Sequence, residues 1–157
     1  MKTPLLAAAA LMLAPFAAAT EINIGYSDAF YEKLEYDFGL REGDVLVKEV
    51  REDLERQLDK RGVSPALIEV TILDAKPNRP TIKQLGDRPG LDFSRSISRG
   101  GMDLIATAFD ENGEEIGTIE YEHFERDVDQ IRGSTTWFEA RRASGMFARK
   151  VAKSLDG

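Results

Sequence analysis

Few residues in this chain are able to do nucleophilic chemistry. The sequence has one histidine, His123, and no cysteine. A serine triad needs a histidine beside its nucleophile, and no G-x-S-x-G turn occurs, so a triad hydrolase is excluded. The lack of cysteine removes disulfides, thiol nucleophiles, iron–sulfur clusters and cysteine-ligated zinc. We therefore predict no catalytic residue and no cofactor.

Only oxygen-rich segments and His123 remain as candidate metal ligands. Segment 110–115 is acidic, but Gly113 directly follows Asn112 and breaks the spacing of a calcium loop. A charged hairpin tip explains this segment better. His123 and Glu125 occupy alternate positions of a strand pattern and could hold a metal weakly on one face, but a solvated or core-edge histidine is favoured. We predict no metal-binding residue.

A pair of carboxylates is the remaining catalytic possibility. Glycan hydrolysis uses two carboxyl groups about 5–10 Å apart in a cleft. The chain has 28 acidic residues, so many pairs will meet that distance by chance. A carboxylate-dependent, glycan-directed enzyme of the envelope stays open as the alternative function.

The charge distribution is more informative. Segment 76–101 has six basic and two acidic residues, a net charge of +4, whereas 102–131 has ten acidic residues and one arginine, a net charge of −9. Such asymmetry attracts anionic partners to the basic part, although solvated surface charge is the plainer interpretation. We predict contacts to an anionic partner from Arg79, Lys83, Arg88 and Arg95. The chain as a whole has a net charge of −7, which argues against a nucleic-acid partner.

Within the basic segment, 76–90 forms a connection of 15 residues with three prolines. Ordered loops of this length often bind ligands. An equal alternative is that Ile82 and Leu85 pack over an edge of the sheet.

The first 19 residues have the pattern of a signal peptide. Lys2 is the only charge, an apolar run covers residues 4–19, and Ala17, Ala18 and Ala19 are small residues at the cleavage positions. The 16-residue run is shorter than the roughly 20 residues that span a bilayer. We predict cleavage after Ala19, a single α+β domain over 20–157 with no transmembrane segment, and a periplasmic or secreted location.

The remaining sequence alternates strand and helix patterns. We predict strands over 21–27, 66–75 and 91–98, a hairpin of 102–109 with 115–124, and helices over 44–61 and 137–155. Asp44 is the expected cap of the first helix, and Thr136 with Glu139 forms a capping box for the second. Trp137 falls on the apolar stripe of that helix and is expected to be buried. The predicted fold is a two-layer α+β sandwich with a mostly antiparallel sheet of four to five strands and two amphipathic helices.

Three segments carry a resemblance to known proteins: ALIEVTILDAKPNRPT, GGMDLIATAFDENGEEIG and TTWFEARRASGMFARKVA. Their layout resembles small uncharacterised exported proteins of Gram-negative bacteria, and is loosely similar to small α+β domains of envelope lipoproteins, including activators of cell-wall synthases. The resemblance implies export but no activity. The predicted function is therefore a non-catalytic envelope accessory or binding domain, whose partner is an anionic envelope component or an envelope protein.

Overall fold

The computed structural model describes residues 19–127 and 135–157, and the predicted signal peptide lies almost entirely outside them. The described chain is α+β, as predicted, with one mixed sheet of four strands in the order β1-β2-β3-β4. The strands are β1 (Glu21–Tyr26), β2 (Leu67–Lys76), β3 (Gly101–Phe109) and β4 (Glu115–Phe124). β1 is parallel to β2, and the other two pairings are antiparallel, so the sheet is mostly antiparallel.

The predicted hairpin between β3 and β4 is confirmed. Gly113 has a φ of 79°, the left-handed conformation that favours glycine. The Asp110 carboxylate accepts hydrogen bonds from the backbone N–H groups of Asn112 and Glu114 at 2.8 and 2.9 Å. These bonds lower the pKa of Asp110, with that from Glu114 contributing most. The acidic segment 110–115 therefore forms a hairpin tip.

Four α-helices, rather than the predicted two, occur in the described residues: α1 (Asp28–Lys33), α2 (Leu40–Arg61), α3 (Ile82–Asp87) and α4 (Phe138–Leu155). A π-helical turn, Leu34–Phe38, continues α1 and is called the π-turn below. α2 and α4 are the predicted amphipathic helices. The two additional helices have six residues each, too short for a helical hydrophobic period to show in the sequence.

Both predicted helix caps are wrong. α2 begins at Leu40, after Gly39 with a φ of 102°, so Asp44 lies inside the helix. α4 follows Trp137, and neither Thr136 nor Glu139 forms the capping box. Instead, the side-chain oxygen of Asn78 accepts a hydrogen bond from the backbone N–H of Glu139 at 2.8 Å. A local pattern cannot reveal a cap that comes from a remote segment.

The predicted strand over 91–98 is also wrong, because this stretch forms turns. The Asp92 carboxylate accepts hydrogen bonds from the backbone N–H groups of Ser94 and Arg95 at 2.8 and 2.9 Å, which is the local geometry of an Asx-turn. Within the 76–90 connection, a capping box between Thr81 and Gln84 starts α3. Ile82 is 84% exposed, so the alternative in which Ile82 packs over an edge of the sheet is wrong, whereas Leu85 is half-buried.

The core is built from alternate residues of the strands and from the apolar side of each long helix. Alternate residues of β3 are buried: Met102, Leu104, Ala106 and Ala108. α2 buries Leu46, Val50, Leu54 and Leu58, and α4 buries Ala140, Ala143, Phe147 and Val151. Trp137 is 3% exposed, as predicted. Within the described ranges, every helix is too short or too polar to cross a membrane.

Candidate functional site: a basic groove

A groove with a volume of about 490 Å³ opens between the π-turn, α3, the end of β2 and the loop 88–100. Five of its lining residues are basic and one is acidic: Lys33, Lys76, Arg79, Arg88 and Arg99 against Asp37. The groove thus has a formal charge of +4, in a chain whose net charge is −7. It will attract anions against the field of the rest of the protein.

The apolar part of the groove lies between these charges. Phe38 of the π-turn is buried in the core beneath it, and Pro77 and Pro80 are also buried. Leu91 and Ile97 contribute the outer apolar surface, with Ile97 44% exposed. A ligand in this groove would therefore contact apolar side chains as well as charged ones.

Arg79 organises the wall of the groove. One guanidinium nitrogen donates hydrogen bonds to the backbone oxygens of Phe93 and Ser94, at 3.0 and 2.7 Å. The guanidinium also lies 5.8 Å from the centre of the Phe93 ring, within cation–π range. Arg79 therefore holds residues 93 and 94 of the loop, and its charge has no carboxylate partner among the described residues.

Two of the other basic residues are paired with carboxylates. Arg88 forms an ion pair with Asp37, which also accepts a hydrogen bond from the Gln84 amide at 3.2 Å. Lys33 lies 2.8 Å from Asp74. Among the described residues, Lys76 and Arg99 have no carboxylate within ion-pair distance, although the Lys76 amine lies 5.2 Å from the centre of the Phe124 ring. Within the described part of the chain, Lys76, Arg99 and Arg79 therefore carry positive charge that no carboxylate neutralises, and Lys76 and Arg99 also have no hydrogen bond that fixes their charged groups to the loop.

Asn78 fixes the loop that closes the groove. Its backbone C=O accepts a hydrogen bond from the N–H of Ser98 at 2.9 Å, and its amide nitrogen donates to the Ser98 oxygen at 3.2 Å. Its backbone N–H donates to Thr136 at 2.7 Å, just before α4. A Cβ at Gly100 would overlap the Asn78 side chain. Asn78 is completely buried and thus ties the groove loop to the start of α4.

Of the four predicted contact residues, the structure places Arg79 and Arg88 in the groove. Lys83 lies on α3 and forms an ion pair with Asp87 at 2.5 Å, while Arg95 is exposed and does not line the groove. Lys76 and Arg99 belong to the basic segment recognised in the sequence but were not predicted as contact residues. Lys33 comes from α1, and no pattern in the sequence connects it with this segment.

A second cluster of charged side chains lies where β4 ends and α4 begins. The potential ligand atoms of His123, Glu125 and Glu139 lie within 4.8 Å of one another. The His123 Nε2 atom is 3.4 Å from a Glu139 oxygen. A guanidinium nitrogen of Arg142 lies 3.5 Å from Glu139 and 4.0 Å from Glu125. This group, called the His123 cluster below, is separate from the lining of the basic groove.

Burial gives the His123 cluster unusual chemistry. Glu139 is 1% exposed, and neither of its carboxylate oxygens has a hydrogen-bond partner within the described chain. The Nε2 atom of His123 is buried without a hydrogen bond as well. Backbone hydrogen bonds from Asp127 and Arg126 lower the pKa of Glu125, and the charges of His123 and Arg142 act in the same direction. Glu125 is thereby held as a carboxylate.

Comparison of the chain with protein-family models, with curated proteins and with solved structures finds no match. The resemblance to exported envelope proteins therefore stays a prediction, and the function is argued from the geometry of the groove and the cluster.

Proposed function

We propose that this protein is a non-catalytic domain of the bacterial envelope that binds an anionic amphiphile in the basic groove. One observation carries the proposal: five basic residues surround an apolar surface in a groove of about 490 Å³, on a chain of net charge −7. General solubility does not require positive charge to be concentrated in one concavity of an acidic protein. A phosphate-bearing lipid or glycolipid headgroup has the matching chemistry.

The groove offers separate contacts for the two parts of such a ligand. Lys76 and Arg99 are available for the anionic group, because Arg88 and Lys33 are already paired with Asp37 and Asp74. Hydrogen bonds from charged donors to phosphate are among the stronger polar contacts, about 1.5–3 kcal/mol each. Leu91 and Ile97 supply apolar surface for the adjoining hydrocarbon or sugar. Lys83 and Arg95 would contribute only long-range attraction.

The proposal includes export. A signal peptide over 1–19, cleaved after Ala19, would deliver a single domain of residues 20–157 to the periplasm or the exterior, where anionic lipids and glycans are abundant. N-terminal sequencing of the protein from fractionated cells tests this part.

We also propose that α2 and α4 form one layer over one face of the sheet, which the alternation of buried residues in β3 supports.

Binding is tested by isothermal titration of the protein with a soluble short-chain phosphatidylglycerol below its micellar concentration. The matched phosphatidylcholine, whose headgroup is zwitterionic, is the control. We expect saturable binding of phosphatidylglycerol. Its affinity should fall at least about tenfold between 50 mM and 500 mM salt, because at high salt exposed charges are screened over a few ångströms. Equal binding of both lipids, or binding that salt does not affect, would contradict the proposal.

The second candidate is a carboxylate-dependent enzyme directed at glycans, and the His123 cluster is the observation that favours it. Glu125 and Glu139 approach within 4.8 Å, and Glu139 is desolvated. However, the Arg142 guanidinium lies beside both carboxylates, and the lowered pKa of Glu125 keeps that group ionised, whereas glycan cleavage requires one carboxyl group that carries a proton. Release of fragments from purified peptidoglycan, lost in Glu139→Gln, would support this candidate over the binding domain.

A further inference from the structure

We propose that the His123 cluster is a binding site for a divalent transition-metal ion, with Zn²⁺ as the best match. Imidazole and carboxylate together form a ligand set suited to Zn²⁺ and its neighbours in the first transition row. This site is independent of the basic groove and of the function proposed for it. The sequence favoured no metal here, because only His123 and Glu125 were recognised as sharing a strand face.

The spacing of the ligand atoms fits a metal ion. With metal–ligand bonds of about 2.1 Å and tetrahedral angles, two ligand atoms lie about 3.4 Å apart. The His123 Nε2 atom and the Glu139 oxygen are separated by 3.4 Å. Glu125 completes the set within 4.8 Å and needs only a small side-chain movement. One of its oxygens accepts hydrogen bonds from Arg126 and Asp127, which leaves the other available as a ligand.

The unmet hydrogen-bonding capacity of the cluster is the second, independent observation. A carboxylate that is 1% exposed normally has hydrogen bonds to both oxygens, because an unsatisfied buried charge is strongly destabilising. Both Glu139 oxygens and the His123 Nε2 atom lack such bonds within the described residues. A bound cation would satisfy all three atoms at once. The ion pair with Arg142 is incomplete at 3.5 Å, and the Arg142 side chain is about half exposed, so it can turn towards solvent when a metal binds.

Access to the cluster comes from a shallow cavity of about 420 Å³, lined by residues 122–126. A metal held by three protein ligands retains a fourth position for water or a ligand, and the cavity is lined by two of the three proposed ligands, His123 and Glu125. Because His123 lies at the end of β4 and Glu125 directly follows the strand, while Glu139 lies in the first turn of α4, a bound metal would also join the sheet to the terminal helix.

The test is a calorimetric titration of untagged, EDTA-treated protein with Zn²⁺. The variants are Glu139→Gln, which preserves side-chain size, and His123→Asn, which is smaller but remains polar. The control is Glu120→Gln, which removes an exposed carboxylate of β4 that lies outside both the cluster and its cavity. We expect one Zn²⁺ per chain, with affinity lowered at least about tenfold in Glu139→Gln and His123→Asn and unchanged in Glu120→Gln.

The absorption spectrum of bound Co²⁺ distinguishes this site from non-specific binding to surface carboxylates. Substitution by Co²⁺ should give the visible absorption of a four-coordinate site in the wild type, and this absorption should be missing in His123→Asn, whose fold is checked by circular dichroism. A wild type without stoichiometric Zn²⁺ binding, or an affinity that is equal in wild type, His123→Asn and Glu139→Gln, would overturn the proposal.

Discussion

Replacing Asn78 tests whether a remote side chain, rather than the local sequence, stabilises the start of α4. Asn78→Ala removes the acceptor that lies 2.8 Å from the Glu139 N–H and the donor that lies 3.2 Å from the Ser98 oxygen. The Glu139 N–H is buried, so leaving it without a partner should cost about 1–3 kcal/mol. The small cavity left by the amide adds to this cost. We expect the free energy of unfolding to fall by about 2–4 kcal/mol.

The assay is urea unfolding followed by circular dichroism, with Thr136→Ala as the matched control. The sequence pattern assigns the cap to Thr136, but the structure gives its side chain no capping bond. Thr136→Ala should therefore change stability by less than about 0.5 kcal/mol, as ordinary surface substitutions do. A larger loss in Thr136→Ala than in Asn78→Ala would refute the assignment of the cap to Asn78.

Two further predictions concern Trp137 and Asp103. Trp137 donates a hydrogen bond to Glu42 at 2.6 Å and is almost fully buried. Trp137→Ala should therefore lower the free energy of unfolding by about 3–5 kcal/mol, measured by urea unfolding. A loss below about 1 kcal/mol would show that the indole is not a core residue. Burial, and then the negative charges of Glu122 and Asp74, raise the pKa of Asp103. A raised pKa in the folded state means that ionised Asp103 destabilises the protein at neutral pH, and that this effect disappears as the pH falls through the folded-state pKa towards the unfolded value. Asp103→Asn should therefore raise the free energy of unfolding by about 0.2–1 kcal/mol at pH 7, and by less near pH 4. Urea unfolding at both pH values measures the two gains. An equal gain at both pH values would contradict the electrostatic explanation.

The parts of the fold that were predictable from the sequence are those with long periodic patterns. The apolar stripe of α4 placed Trp137 and Phe147 in the core, and the alternation around Asn112 and Gly113 located the hairpin to within one residue. The polar connections were not predictable, because they depend on partners that only folding brings together. Asn78, for example, contacts Glu139 from 61 residues away in the chain.

The candidate site divides in the same way. The concentration of basic residues in 76–101 pointed to the groove, and Arg79 and Arg88 do line it. The wrong strand over 91–98 hid the turn that brings Arg99 to the groove, and Lys33 arrives from a helix that has no clear hydrophobic period. Glu139 was interpreted as part of a capping box, so its position beside His123 was not recognised.

The central claim is that the basic groove, rather than the positive charge of the segment in general, binds the anionic ligand. Arg99 and Arg95 provide a matched pair, since both are exposed arginines of the same loop but only Arg99 lines the groove. The most direct test compares Arg99→Gln with Arg95→Gln in calorimetric titrations with short-chain phosphatidylglycerol at 50 mM salt. We predict an affinity about tenfold lower for Arg99→Gln, equivalent to about 1.4 kcal/mol, and an affinity within about twofold of the wild type for Arg95→Gln. Equal losses in the two variants, or no loss in Arg99→Gln, would contradict the claim.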